Sequence, residues 1–310
     1  MARYIGVRVL QTIPVVLGTT LLIYGLVFLM PGDPVRAMFG NHPPSEAAMN
    51  VVRREFHLDQ PFIMQYLYFL KGVLTFDFGK TFQGRNVSDV IATSLPITAQ
   101  LAFLSIFFEI IIGVGLGIVT GVKKGRIFDN TVLMSTLVII SIPTFVLGFV
   151  CQFIFAVKLG IVPATVGNYI DINHMLMPAL VLASVSISYV IRLTRSQIKD
   201  NLNADYVRTA RAKGLDNRTV VLKHILRNSL VPVVTYIGAD LGGLMGGAVV
   251  TEAVFNINGI GHQLYSGISR GEGVLVVSLV TVLVLIYIVA NLLVDILYAF
   301  LDPRIRYGKS

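Results

Sequence analysis

Six long apolar runs constrain what this chain can fold into. They cover residues 9–30, 97–122, 131–157, 175–193, 230–253 and 274–301. A helix needs about 20 predominantly apolar residues to cross a hydrocarbon layer about 30 Å thick, and each run is close to or above that length. The strands of a membrane barrel are about ten residues long and alternate in polarity, which these runs do not. We therefore predict an all-α polytopic membrane protein with six transmembrane helices.

The composition agrees with this class. Of the 310 residues, 55% are hydrophobic and 14% are charged, against about 25% charged in soluble domains. Arg3 and Arg8 precede the first run, as basic residues precede the apolar core of a signal peptide. The run is longer than such a core, and no clear small-residue cleavage site follows it. We interpret residues 1–30 as a retained N-terminal transmembrane helix.

The basic residues predict the orientation. When the loops are assigned alternately to two sides, one side holds 17 of the 25 Lys and Arg: the N-terminus, residues 123–126, residues 192–227 and the tail. The basic side is cytoplasmic by the positive-inside rule, so both termini are predicted inside the cell. The charge also favours contact with anionic lipid headgroups. Because no soluble basic domain carries it, we expect no nucleic-acid partner.

The runs divide the chain into four parts. After the first helix, residues 31–95 form an extracytoplasmic region, in which Glu46 to His57 and Phe62 to Leu74 have helical patterns. Residues 96–302 form a core domain with five transmembrane helices. Residues 303–310 form a cytoplasmic tail.

The chain carries no motif of an active site. It has no G-x-x-x-x-G-K-[ST] phosphate loop, no H-E-x-x-H and no G-x-S-x-G. The glycines of Gly113-Val-Gly-Leu-Gly117 resemble a dinucleotide motif, but they lie inside an apolar run and not at a strand-to-helix turn. The single cysteine excludes an intrachain disulfide, and the five histidines are scattered over loops. We expect no enzymatic activity, no metal site and no cofactor in this chain.

Four acidic residues lie within the apolar runs: Glu109, Asp240, Glu252 and Asp295. Ionisable residues are costly in a membrane and face the protein interior or water. These four are scattered along the sequence, with no buried Lys or His beside them. The pattern favours structural pairing or lining of a pathway, and a proton relay is the alternative.

Four glycines in the fifth run form two overlapping G-x-x-x-G pairs: Gly242, Gly243, Gly246 and Gly247. Such pairs allow two helices to approach closely. Packing within the chain and contact with a second membrane subunit both remain open at this point.

The most distinctive segment is the basic loop 195–227, which holds eight Lys and Arg against three Asp. We predict a short helix Tyr206–Lys213, with Asp205 as its N-cap and Gly214 just beyond its end. A second helix begins at Asp216 or Asn217, and we expect it to lie at the membrane interface. The spacing alone fits either a solvated loop that fixes topology or a helix that docks on a soluble partner.

The residues of this segment resemble a known family. Asp205-Tyr-Val-Arg-Thr-Ala-Arg-Ala-Lys-Gly-Leu215, followed by His224-Ile-Leu-Arg-Asn-Ser-Leu-Val-Pro232, resembles the cytoplasmic loop of ABC-importer permeases, and more narrowly the first permease subunit of dipeptide and oligopeptide importers. The likeness continues in Pro31-Gly-Asp-Pro34, His57-Leu-Asp-Gln-Pro61, Gln65-Tyr66, Asp77-Phe-Gly79, Gly259-Ile-Gly261 and Asp302-Pro-Arg-Ile-Arg-Tyr307. Where the broad family has Glu-Ala-Ala this chain has Arg208-Thr-Ala210, which puts a glutamate-based contact with the ATPase in doubt.

The resemblance implies the type I ABC-importer permease fold and a place in the bacterial inner membrane. It implies four kinds of partner: a second homologous permease, two ATP-binding subunits, an extracytoplasmic solute-binding protein and membrane lipids. ATP and Mg would be bound by the ATPase subunits. The chain itself would form half of a pathway for di- or oligopeptides. The alternatives are an importer of nickel, glutathione or oligosaccharide, and a secondary ion-coupled transporter.

The resemblance also implies two sets of contact residues. The ATPase subunit would meet a coupling helix that comprises Tyr206, Arg208, Thr209, Ala210, Arg211, Ala212, Lys213 and Gly214. The binding protein and the outer gate would involve Asn258, Gly259, Ile260 and Gly261.

Overall fold

The computed structural model describes residues 2–28, 45–55, 57–167 and 171–301, and most of them are helical. Within these ranges the only β-pairings are two isolated bridges, Lys80 with Asn86 and Gly167 with Ile257. The Pro31–Pro34 segment of the family likeness and the tail 303–310 lie outside the described residues. For the described part, the all-α prediction is confirmed.

The helices follow one another along the chain, and three of them contain a π-helical turn. In order they are α1 Ala2–Phe28, α2 Glu46–Glu55, α3 Phe62–Thr75, α4 Val87–Phe108, π1 Glu109–Val114, α5 Gly115–Val122, α6 Ile127–Ser141, α7 Thr144–Cys151, π2 Gln152–Lys158, α8 Ile172–Leu202, α9 Asp205–Ala212, α10 Asn217–Thr219, π3 Val220–Ile225, α11 Leu226–Phe255, α12 Ile260–Arg270 and α13 Gly273–Leu301.

The segment between the first two apolar spans contains the two helices that the sequence predicts, α2 and α3. The next helix, α4, begins at Val87, ten residues before the apolar run that starts at residue 97. Its first turns are buried because Val87, Val90 and Ile91 pack against Phe78 and α12. The boundary predicted at residue 95 therefore falls inside a helix.

The run 131–157 is not one straight helix, which corrects the sequence interpretation. It breaks between Ser141 and Thr144, where α6 and the α7–π2 segment meet at 105°. Pro143 has no backbone N–H and disfavours helical geometry in the residue before it. Ile142 accordingly is extended, with φ −96° and ψ 125°.

Contacts at its two ends place the start of this bent segment near the inner end of α8 and its end near the outer end of α11, which fits one broken span. Near its start, Asp129 is bonded to Arg195, at the inner end of α8. Beyond its end, Val166 N–H donates to the carbonyl of Phe255 at 3.0 Å, at the outer end of α11. Five other helical segments are long and apolar enough to span, so the bent segment brings the described residues to six spans, as predicted.

Helix α8 is the centre of the fold. In its most apolar window, 61% of the residues are buried within the chain, against 11% for α1. Met175, Ala179 and Val190 on α8 are fully buried. Helix α1 lies at the periphery, where Tyr24 packs on Tyr66 and Phe69.

Small residues let α4–π1–α5 approach α8 closely. Three glycines four residues apart face three α8 residues at the same spacing: Gly113 with Val190, Gly117 with Thr194, and Gly121 with Ile198. A Cβ atom at Gly117 would lie 2.5 Å from the Cβ of Thr194. Two of the three glycines in the dinucleotide-like motif, Gly113 and Gly117, thus belong to a helix-packing stripe.

We expect Gly117→Ala to destabilise the protein, because overpacking a tight contact costs about 1–3 kcal/mol. The matched control is Gly115→Ala, two residues away, where no atom lies within 4 Å of the added methyl group. The measurement is the thermal unfolding midpoint of the detergent-purified protein. Equal midpoints for the two variants would refute the close-packing account.

Candidate functional site: the cytoplasmic helix and the buried polar contacts

The short cytoplasmic helix α9 starts one residue earlier than the sequence predicts. Its N-cap is Ala204, so Asp205 is its first residue and not its cap. The Asp205 carboxylate is 3.4 Å from Arg208, and the Thr209 hydroxyl donates to the Asp205 carbonyl at 3.0 Å. An acidic residue in the first turn still suits the positive end of the helix dipole.

Gly214 lies just beyond α9 as predicted, although the last helical residue is Ala212 and Lys213 is the C-cap. The helix closes at Lys213, and Gly214 has a φ of +81°, which a residue with a side chain rarely adopts. Gly214 N–H donates to Arg211 O at 2.9 Å, and Leu215 N–H donates to Ala210 O at 3.3 Å. This bond pair is the Schellman motif, which fixes the direction in which the chain leaves the helix.

One face of α9 is buried against its own chain. Val207 and Ala210 pack on Ile198, Val220 and Ile225. Ala210 is therefore a packing residue, which corrects its assignment to the docking surface. The other residues predicted to dock are exposed: Tyr206, Arg208, Thr209, Arg211, Ala212, Lys213 and Gly214.

The second helix of this region begins where the sequence predicts but is not a separate interfacial helix. Hydrogen bonds from Thr219 to the Asp216 side chain cap its start and hold the pKa of Asp216 below its ordinary value. From Asn217 the chain continues helically through π3 into α11. Val220 and Ile225 are fully buried against α8 and α9, so the segment serves as a packed joint.

An ion pair holds the inner end of α8 beside this joint. Arg195 donates to both oxygens of Asp129, Nε at 2.6 Å and a terminal nitrogen at 2.8 Å. Gly125 N–H also donates to Asp129 at 2.9 Å. A two-point arginine–carboxylate contact fixes orientation as well as distance. It ties the loop between α5 and α6 to the helix that leads into α9.

At the outer end, a buried carboxylate caps α12. Glu252 is fully buried, and its oxygens accept from the Thr98 hydroxyl at 2.6 Å and from His262 N–H at 2.9 Å, with a further bond from Gly261 N–H. The same Thr98 hydroxyl accepts from Ile260 N–H at 2.8 Å. The free N–H groups in the first turn of α12 thus all meet polar atoms from α4 and α11.

The Glu252 contact is possible only because residues 259 and 261 are glycines. Their burial corrects the prediction that they form a surface for the binding protein. A Cβ atom at Gly259 would collide with the Glu252 carboxylate, and one at Gly261 would collide with the backbone of Val249. Gly259, Ile260 and Gly261 are buried, so in this conformation they do not form a surface for a protein partner. The residues between the fifth and sixth apolar runs, 254–273, mostly form the helix α12.

Two of the acids that look scattered in the sequence come together in the fold. Glu109 in π1 is fully buried and interacts electrostatically with Asp240 on α11. Ser186 of α8 lies beside Asp240, and Tyr236 of α11 lies near both acids. Neither Glu109 oxygen has a hydrogen-bond partner among the described residues.

Asp295 lies in α13, and its side chain falls outside the described part.

The glycines of α11 divide between two roles. Gly242 is buried against Tyr287 of α13, where an added Cβ would come within 2.5 Å of the ring. Gly242 therefore packs against another helix of the same chain and not against a second subunit. Gly243 and Gly246 are exposed, and no atom lies within 4 Å of a Cβ at Gly246. The surroundings of Gly247 lie outside the described part.

Sequence reasoning missed the links between distant parts of the chain: Thr98 with Glu252, Asp129 with Arg195, and Glu109 beside Asp240. A buried acid signals that a partner is needed, but not which residue it is.

No group of three or more His, Cys, Asp or Glu suited to a metal ion occurs within the residues described.

Two family models match the chain. One is the binding-protein-dependent transport system inner membrane component, over residues 113–307, and the other is the N-terminal membrane component of such systems, over residues 1–102. Together they cover nearly the whole sequence.

Similar proteins match along their full length. The chain is 38% identical over 309 residues to the glutathione transport system permease protein GsiC of Salmonella typhimurium, covering 99% of this chain and 100% of that protein. It is 33% identical over 334 residues to the dipeptide transport system permease protein DppB of Alkalihalophilus pseudofirmus, covering 99% and 100%. DppB of Escherichia coli K12 is 33% identical over 339 residues, with both chains fully covered.

A solved structure shares the fold. It is the MetNI methionine ABC transporter in an inward-facing conformation, with a TM-score of 0.57 and 19% identity, covering 69% of this chain and 96% of that one. The likeness confirms the type I importer permease fold. The chain belongs to the family of binding-protein-dependent transport system inner membrane components, and it is a multi-pass, non-catalytic permease subunit of an ABC importer.

Proposed function

We propose that this chain forms half of the pathway through which an ABC importer carries di- or oligopeptides across the inner membrane. The full-length similarity to dipeptide and glutathione permeases carries the choice of solute, because glutathione is itself a small peptide. Nickel and oligosaccharide are the remaining candidates.

The exposed face of α9 is the proposed docking site for an ATP-binding subunit. Arg208 and Arg211 lie three residues apart on this face and are exposed, while Val207 and Ala210 hold the helix to the rest of the chain. A force on α9 would pass directly into α11, since π3 joins them through buried contacts. The helix is thus both accessible to a partner and mechanically linked to the span that carries Asp240 and Glu252.

The remaining partners follow from the same assembly. Two ATP-binding subunits would bring ATP and Mg, so hydrolysis would occur outside this chain. A second, homologous permease would complete the pathway, and the exposed Gly243 and Gly246 offer it a close helix contact. An extracytoplasmic solute-binding protein would deliver the peptide at the outer surface.

The Glu252 contact is the proposed outer gate. It joins α4, α11 and α12 at the outer end through hydrogen bonds between buried groups. Breaking it would release the first turn of α12 from α4. A motion of α11 that starts at α9 could open the outer end in this way.

The substrate proposal is tested with the purified complex of both permeases, both ATPase subunits and the binding protein. We expect dipeptides to stimulate ATP hydrolysis several-fold over the basal rate, and nickel or an oligosaccharide to leave it unchanged. Stimulation by nickel or sugar alone would overturn the peptide assignment. Uptake driven by a proton gradient without ATPase subunits would instead favour ion coupling through the Glu109–Asp240 pair.

The docking proposal is tested by the double variant Arg208→Glu/Arg211→Glu. We expect solute-stimulated ATP hydrolysis by the complex to fall at least about tenfold, since reversed charges repel a complementary surface. Arg126→Glu, an exposed cytoplasmic arginine outside α9, is the control and should keep wild-type stimulation. Normal uptake by the double variant would remove α9 as the coupling element.

The gate proposal is tested by Glu252→Ala. Leaving the buried donors of Thr98 and α12 unpaired costs about 1–3 kcal/mol, so amide hydrogen exchange in residues 257–264 should accelerate about 10- to 100-fold. Gln263→Ala, on the same helix but outside the contact, should leave exchange in α12 at its original rate. Unchanged exchange in the Glu252 variant would mean that the contact does not hold the outer end closed.

A further inference from the structure

A basic cleft lies at the cytoplasmic end of α11, where π3 leads into it. It has a volume of about 400 Å³ and is lined by Lys223, His224, Arg227, Asn228 and Val231. The lining contains two permanent cations, a histidine and an amide, and no acidic residue. Among the described residues, neither Lys223 nor Arg227 forms an ion pair. Their charge is therefore available to an anion.

The cleft lies at the depth of lipid headgroups. The apolar run of α11 begins at residue 230, and a helix rises 1.5 Å per residue. Arg227 is thus about 5 Å and Lys223 about 10 Å along the helix axis from the start of that run. The polar layer on each side of a bilayer is about 5–8 Å thick, and the long side chains of Lys and Arg can reach across it.

The same face of the helix becomes apolar toward the membrane. Lys223, Arg227, Val231 and Val234 are spaced by three or four residues and therefore share one face. Val231 is partly exposed and Val234 is 49% exposed. Cations followed by exposed apolar side chains match the order of a phosphate headgroup and its acyl chain.

We propose that this cleft binds the phosphate headgroup of an anionic phospholipid from the cytoplasmic leaflet, with an acyl chain along Val231 and Val234. A soluble phosphate would satisfy the cations but would leave the apolar part of the face uncovered. An acidic protein surface is disfavoured for the same reason. Because Lys223 and His224 lie in π3, the bound lipid would contact the segment that connects α9 to α11.

The test uses the intact complex in nanodiscs that contain phosphatidylglycerol and phosphatidylcholine, and native mass spectrometry measures the phosphatidylglycerol that stays bound. The variant is Lys223→Gln/Arg227→Gln. Each basic residue near an anionic surface strengthens attraction about fivefold, so retention should weaken about 30-fold. The control Lys123→Gln/Arg126→Gln removes two exposed cytoplasmic cations elsewhere and should retain the lipid as the wild type does.

Three outcomes would overturn the proposal. Equal retention by the variant and the wild type would mean that the cleft holds no lipid. Displacement of the lipid by added inorganic phosphate, with no requirement for acyl chains, would identify a soluble-anion site. Loss of the ATPase subunits from the variant while phosphatidylglycerol is retained would identify a protein contact.

Discussion

The close contact between α4–π1–α5 and α8 determines how the other helices are arranged. Three glycines at four-residue intervals bring the two backbones together along three turns, from Gly113 to Gly121. In a membrane, helices gain little from leaving lipid, so association depends on such close packing and on polar contacts. With α8 fixed in the centre, its outer half packs on α11 and its inner half leads into α9.

Polar contacts at both ends complete this arrangement. Arg195 and Asp129 join three segments at the inner end, and Glu252 joins three at the outer end. Each group is buried or nearly so, and each has partners that offset the loss of water. Between them lies the Glu109–Asp240 pair, whose free oxygens distinguish it from the two satisfied contacts. The spans are therefore tied at their ends and carry an unsatisfied polar site between them.

Much of this architecture is predictable from the sequence, because lipid imposes strict demands on composition. Apolar length gives the number of spans, basic residues give their orientation, and Gly214 marks the end of α9. The break at Pro143 is also signalled, although Pro14, Pro96, Pro178 and Pro232 lie inside helices that continue. A proline alone does not say whether neighbouring helices will support a continuous span.

The interpretations that fail concern contacts between distant residues. Ala210 has the exposed-looking sequence context of its neighbours, yet it faces Ile198, twelve residues earlier. Gly259 and Gly261 resemble a flexible loop, yet they allow Glu252 to reach the first turn of α12. Glu109 and Asp240 are 131 positions apart in the sequence. No local pattern encodes such distances, because they arise only when the helices pack.

The π3 turn has a mechanical consequence. A π-helical turn holds about one residue more than an α-helical turn, and one residue corresponds to about 100° around a helix axis. If π3 relaxed to α-helical geometry, α11 would turn about its own axis relative to α9. A push at the cytoplasmic surface would then become a torque that carries Asp240 and Glu252 around the axis of their helix.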